Sequence, residues 1–146
     1  MGVMMKIREL SEEDYDLVVD IWSRAGLPYR PQGRDSRERF GIEVQQDTAV
    51  FLGAELDGML AGVVLGTHDG RKGWINRLAV LPEYRNRGIG ELLVDHTERR
   101  LNQRGILIVT CLIEGENESS KAFFQKLGYV SHPDITYFSK RRSADW

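Results

Sequence analysis

Asn76-Arg-Leu-Ala-Val-Leu-Pro-Glu-Tyr-Arg-Asn-Arg-Gly-Ile-Gly-Glu91 is the stretch on which the reading of this chain turns. It reads as a strand that stops at Pro82, a short basic loop, and a helix that opens on two glycines. Such a junction offers several free backbone N–H groups and the positive end of a helix dipole to one anion. Gly88 and Gly90 let a ligand approach the backbone with no Cβ in the way, and Arg85 and Arg87 add positive charge. Alone, the two arginines are ordinary solvated loop residues. With the glycines beside them they read as part of a phosphate cradle.

Outward from this stretch, the periodicity sets the neighbouring elements. Over residues 88–104, Ile89, Leu92, Leu93 and Leu101 fall on one helical face, Asp95 and Arg99 form an i,i+4 pair, and Gly105 closes the helix. Residues 106–113 are almost continuously apolar, as expected of a strand covered on both sides. A long helix between that strand and the one over 74–81 makes the two parallel neighbours. A last helix over 119–127 ends at Gly128, and residues 129–131 and 135–140 read as short closing strands. Upstream, residues 48–56 and 59–67 are strands joined by the hairpin signal Asp57-Gly58, and with 74–81 they form an antiparallel meander. Residues 4–9 read as a first strand. Ser11 and Asp14 resemble a capping box, Leu17, Val18, Ile21 and Trp22 follow at helical spacing to Gly26, and Asp35 or Ser36 caps a second helix to about Gln46.

The 146 residues suit one domain spanning 1–146, of mixed α/β (α+β) class, with helices on both faces of a mostly antiparallel central sheet that carries one splayed parallel pair. A hydrophobic fraction of 41% and a charged fraction of 29% are ordinary for a globular protein, and a net charge of −2 argues against a general nucleic-acid binder. One cysteine, Cys111, forbids an internal disulfide and reads as a packed core thiol. There is no signal-peptide pattern and no long apolar run, so the expectation is a cytoplasmic protein with no membrane partner. His68, His96 and His132 have no ligand spacing, and no metal site is expected.

With these elements placed, the order β-α-α-β-β-β-α-β-α-β-β resembles the GNAT superfamily of acyl-CoA N-acyltransferases. Its signature, Gln/Arg-x-x-Gly-x-Gly/Ala after the fourth strand, stands here as Arg85-Asn86-Arg87-Gly88-Ile89-Gly90, preceded by Leu78-Ala79-Val80-x-Pro82-x-Tyr84. A second similar stretch, Asn117-x-x-Ser120-x-x-Phe123-Phe124-x-Lys126-Leu127-Gly128-Tyr129, follows the fifth strand. Residues 48–130 carry the likeness, and the rest agrees in element order. The resemblance implies acetyl-CoA as cofactor, with its pyrophosphate held by the N–H groups of Asn86, Arg87, Gly88, Ile89, Gly90 and Glu91. It implies pantetheine pairing along Leu78, Ala79 and Val80, further contacts from Asn117, Ser120 and Lys126, and transfer to a primary amine of a small molecule, peptide or protein. A homodimer would follow family habit.

Direct attack on a thioester needs a deprotonated amine, whose free pKa is about 10.4, and a thiolate leaving group of pKa near 8.5. Many members of the superfamily place a tyrosine hydroxyl near the sulfur; the matching residue here is Phe124, which has no proton to give. The thiolate then leaves unprotonated or takes a proton from water, or Tyr137 or Tyr129 serves as acid, or the chain is a catalytically silent acyl-CoA sensor. Glu114, after the fifth strand, is the first candidate base, ahead of His68 and Glu55. Trp22, Tyr29, Arg30 and Arg34 lie where the family builds its acceptor site, and the arginines read either as recognising a carboxylate or phosphate or as surface charge. A P-loop nucleotide binder is disfavoured, because Gly90 is followed by Glu91 and Leu92 where a Walker loop has Lys and Ser/Thr.

Overall fold

Asp57 and Gly58, with φ of +51° and +82°, turn the chain between β2 (Ala49–Leu56) and β3 (Met59–His68). Both φ values are positive, as a two-residue turn matched to strand twist requires. The computed structural model describes residues 4–146. In it β1 (Met5–Glu9) pairs antiparallel with β2, with Met5 opposite Leu56, and β2 pairs antiparallel with β3, with Ala49 opposite Thr67. The third strand of the meander, expected as one run over 74–81, is two short strands. β4 (Lys72–Ile75) and β5 (Ala79–Val80) both pair with β3. Between them Asn76, Arg77 and Leu78 face only Val64 and Leu65 of β3, so one extra residue is accommodated as a bulge.

β6 (Ile108–Cys111) runs parallel to β4, with Lys72 opposite Ile108 and Ile75 opposite Cys111. Beyond Ile75 the bulge carries β5 toward β3, and among the described residues no strand lies against the other edge of β5. The parallel pair is therefore splayed, as expected. The ends of the expected order are not: residues 129–131 and 135–140 form no strand. The chain turns back instead, and the Asp145 carbonyl accepts the Arg34 N–H at 2.9 Å, which holds this segment against the 30–36 loop. β6 is consequently an edge strand. Ile108 is 53% exposed, so the two-sided cover read from its apolar run is absent here.

α1 (Tyr15–Arg24) and α2 (Arg37–Val44) cover one face of the sheet; α3 (Ile89–Gln103) and α4 (Glu118–Lys126) cover the other. The buried stripe of α1 is Tyr15, Val18, Ile21 and Trp22, while Leu17 faces solvent. Ser36, not Asp35, caps α2, accepting the Arg39 N–H at 3.1 Å. α3 lies close on the sheet because glycines face it. A Cβ at Gly66 would stand 2.7 Å from Thr97 Cγ2, and one at Gly73 would stand 2.6 Å from Leu101 Cδ1. No helix among the described residues is long and apolar enough to cross a membrane.

Candidate functional site

The loop into α3 has the backbone its sequence requires. A turn of 3-10 helix at Pro82–Tyr84 ends the strand, Asn86 sits at φ +63°, and Gly88, at φ +76°, is the N-cap of α3. Asn tolerates the left-handed region and glycine adopts it freely. Leu92 N–H donates to Gly88 O at 3.0 Å, which closes the first turn. The N–H groups of Asn86, Arg87, Gly88, Ile89, Gly90 and Glu91 donate to no described residue, and no side chain caps the helix. Six successive free donors at the positive end of a fifteen-residue helix are the arrangement an anion would require.

The two glycines have different duties. A Cβ at Gly88 would have no atom within 4 Å of it. A Cβ at Gly90 would meet Phe123 Cζ at 3.3 Å, so its absence also lets α3 approach α4 closely. The arginines differ as well. Arg85 Nη2 reaches the Ala25 carbonyl at 3.4 Å, at the end of α1. Arg87 lies over the Tyr84 ring at 5.4 Å and has no carboxylate partner among the described residues.

Leu78, Ala79 and Val80 line the open edge beside the splay. Asn117 is the N-cap of α4, its Oδ1 accepting from Ser120 N–H at 3.1 Å and Ser119 Oγ at 3.2 Å, which leaves only its amide hydrogens for a ligand. Ser120 is in the first turn of α4, and Lys126 is exposed in the last turn. Phe124 is buried, edge-on to both Phe123 and Tyr129 at 5.1 Å.

The candidate acids and bases read from sequence lie on separate elements, with Glu114 three residues beyond the end of β6. Tyr137 is 59% exposed on the segment beyond α4. Tyr129 donates its hydroxyl to Glu98 on α3, and burial together with that carboxylate pushes its pKa far above the usual phenol value, which makes it a poor proton donor. Glu114 is exposed in the turn before α4, where its carbonyl accepts the Asn117 N–H. Glu55 pairs with Arg8, and His68 Nδ1 accepts the Gly70 N–H within its own turn.

A cavity of about 260 Å³ opens instead between α1, α2 and the bulge, with Trp22, Arg34, Asp35, Glu43, Asn76 and Arg77 in its wall. Of the expected acceptor residues, Trp22 and Arg34 line it. Tyr29 stacks obliquely on Trp22 at 6.2 Å, and Arg30 contributes its N–H to Asp35 Oδ2 at 2.9 Å while its side chain is exposed. Glu43, Asp35 and Arg77 are brought together here by tertiary packing, and no spacing in the sequence signals it. Burial raises the Glu43 carboxyl above its ordinary value, opposed by Arg39 at 3.9 Å. Burial likewise lowers the pKa of Arg77.

With this geometry in place, comparison with known proteins adds the following. The family model described as Acetyltransferase (GNAT) family matches residues 5–129. The PaiA N-acetyltransferase from Thermoplasma acidophilum, solved in complex with coenzyme A, is 25% identical with a TM-score of 0.75, over 85% of this chain and 88% of that one. The aminoglycoside N-acetyltransferase AAC(6')-Iy in complex with CoA is 20% identical with a TM-score of 0.79, over 97% of each chain. The ribosomal-protein-S18-alanine N-acetyltransferase from Escherichia coli is 22% identical with a TM-score of 0.73, over 86% of this chain and 77% of that one.

Proposed function

Because this chain belongs to the GNAT family of acetyltransferases, we propose that it moves an acetyl group directly onto a primary amine of a small molecule or peptide. The family's cofactor is acetyl-CoA, and the residues here fit it. The observation that carries the reading is the run of six undonated N–H groups at the start of α3, beside the unpaired edge of β5. The first would hold the pyrophosphate, and the second has main-chain groups free to pair with the amides of pantetheine. When bound, acetyl-CoA supplies an acetyl carbon already activated as a thioester.

The chain's own part is to position the acceptor and take its proton. The cavity reaches the bulge at Asn76 and Arg77, one residue from the edge at Leu78. An amine held there meets the acyl carbon in one cleft, which removes much of the entropic barrier. It arrives as an ammonium and must lose a proton before its nitrogen attacks; the C–N bond then forms as the C–S bond breaks. We assign the proton to Glu43, because burial brings its carboxyl toward the range where a general base works at neutral pH. Phe124 offers no proton to the departing thiolate, which takes one from water.

Thiol release across an amine panel (amino acids, peptides, polyamines, aminoglycosides) tests this. Acceptor-dependent release supports the enzyme. A second reading, a catalytically silent acyl-CoA sensor, is favoured by the buried phenyl ring at position 124; it expects CoA binding with only background hydrolysis.

A further inference from the structure

We infer that the acceptor carries an anionic oxygen group, a carboxylate or a phosphate, beside its reacting amine, and that Arg77 and Trp22 bind that group. The inference rests on the acyltransferase reading and concerns the acceptor cavity alone. Trp22 is 1% exposed, and its indole N–H has no hydrogen-bond partner among the described residues. The Arg77 Nε–H is also buried without a partner. Both side chains line the same cavity, with the guanidinium 4.4 Å over the indole ring. Buried polar groups are nearly always satisfied, and both orphaned donors belong to side chains that line this one cavity, so a small turn of either side chain would offer its N–H to an acceptor atom bound there.

The wall favours an anion in other respects. Arg77 is held by the bond from its Nη2 to the Pro28 carbonyl at 2.7 Å, yet no carboxylate lies within ion-pair distance of it among the described residues. A planar, pinned guanidinium matches the two oxygens of a carboxylate or phosphate. Arg34 adds a second positive group to the same wall. Of the two carboxylates present, Asp35 already accepts the Arg30 N–H and Glu43 lies near Arg39, so neither neutralises Arg77 by contact. A polyamine or aminoglycoside would bring further positive charge against Arg34 and Arg77. About 260 Å³ is also small for a binding pocket and suits an amino-acid-sized group.

The test measures kcat/KM for matched pairs: glycine with glycinamide, a dipeptide with its amide, and phosphoethanolamine with ethanolamine, with spermidine as polycation. The amino groups within a pair differ in intrinsic basicity. The readout is therefore the acid-to-neutral ratio in wild type divided by that in Arg77→Met and in Trp22→Phe, which cancels this difference. The expected result is a wild-type preference for the acid member of the carboxylate or the phosphate pairs. Arg77→Met should lower that ratio at least tenfold, chiefly through KM, and Trp22→Phe, which removes one N–H and keeps the ring, should lower it severalfold. A CoA-induced melting shift retained in each variant certifies its fold, and Trp22→Phe carries the test where Arg77→Met does not fold. Unchanged ratios in a folded variant, or spermidine outperforming every acid, would overturn the inference and leave the enzyme reading intact. Failure of all amines to release thiol would sink the enzyme reading instead. Calorimetry on CoA-loaded protein then decides the anion site: binding of the acid member alone supports it, and equal binding of both members overturns it.

Discussion

At the scale of single residues, position 88 separates backbone strain from ligand contact. Gly88 and Gly58 both have positive φ, +76° and +82°, and neither would bring a Cβ within 4 Å of another atom. Gly88→Val and Gly58→Val should therefore destabilise the fold by comparable amounts, on the order of 1–2 kcal/mol each, read as similar falls in melting temperature. Only Gly88→Val should abolish the shift produced by CoA, because position 88 lies within the run of six free N–H groups while position 58 lies in the β2–β3 turn. A normal CoA shift in Gly88→Val would remove the cradle from this account. Glu43 makes a second residue-level prediction. Its folded-state pKa is raised by burial, so its ionisation opposes folding as pH climbs past the ordinary carboxylate value. Glu43→Gln should accordingly keep or gain thermal stability at neutral pH while kcat falls by roughly 10–100-fold. The acidic limb of the wild-type rate profile should vanish with it. A rate within twofold of wild type would hand the proton to solvent.

At the scale of elements, α3 joins the core to the cradle. It buries Ile89, Leu93, Val94, Thr97 and Leu101 against the sheet, and its first turn is the proposed anion site. Its seat depends on glycines in β3 and β4. A Cβ at Gly66 would press on Thr97 Cγ2 at 2.7 Å and on the Val50 carbonyl at 3.0 Å, and a backbone carbonyl in a sheet has little room to yield. Gly66→Ala should cost about 1–3 kcal/mol by overpacking, read as a fall of roughly 2–10 °C in melting temperature. Arg8 ties the first strand to the start of α1 through Asp14 and to β2 through Glu55, and Asp14 Oδ2 also accepts the Ser11 N–H at 2.8 Å. The hydrogen bond from Arg8 holds the Asp14 carboxyl below its usual value. That contribution is fully present above the unfolded carboxylate pKa and is lost as pH falls through the depressed folded value. Asp14→Asn should destabilise the fold by about 2 kcal/mol at pH 7 and much less at pH 2, as measured by denaturant unfolding at the two pH values.

At the scale of the whole molecule, ligand binding and stability are linked. CoA at a hundred times its dissociation constant should stabilise the fold by about 2.7 kcal/mol. For a chain of 146 residues that is a rise of roughly 5–10 °C in melting temperature. ATP giving that rise while CoA gave none would overturn the ranking of ligands. The cavity proposed for the acceptor is also a whole-molecule feature. Its wall takes Trp22 from α1, Glu43 from α2, Asn76 and Arg77 from the bulge, and Arg34 from a loop that the Asp145 carbonyl holds in place. Gly33 permits that last contact, since a Cβ there would lie 2.6 Å from Asp145 O.

How far the sequence is legible follows from the range of the forces involved. Turn chemistry, helix periodicity and the glycine-rich loop act over a few residues. Asp57-Gly58, the stripe of α3 and the loop conformation at residues 85–90 could therefore be read from local pattern, and two motifs in their proper order led to the family. The bulge at residues 76–78 could not, because an extra residue is visible only against the partner strand that lacks one. The missing closing strands belong to the same class: residues 135–140 have strand composition, but the chain around them is held to the 30–36 loop by a distant hydrogen bond. Gly90 was legible as a glycine, while its packing against Phe123 was not. By itself the sequence determined the proposed cofactor end of this protein, because consecutive backbone groups would make that recognition. Only the tertiary structure decided the proposed acceptor end, because Trp22, Glu43 and Arg77 come to line one cavity solely through the packing of two helices over a bulged sheet.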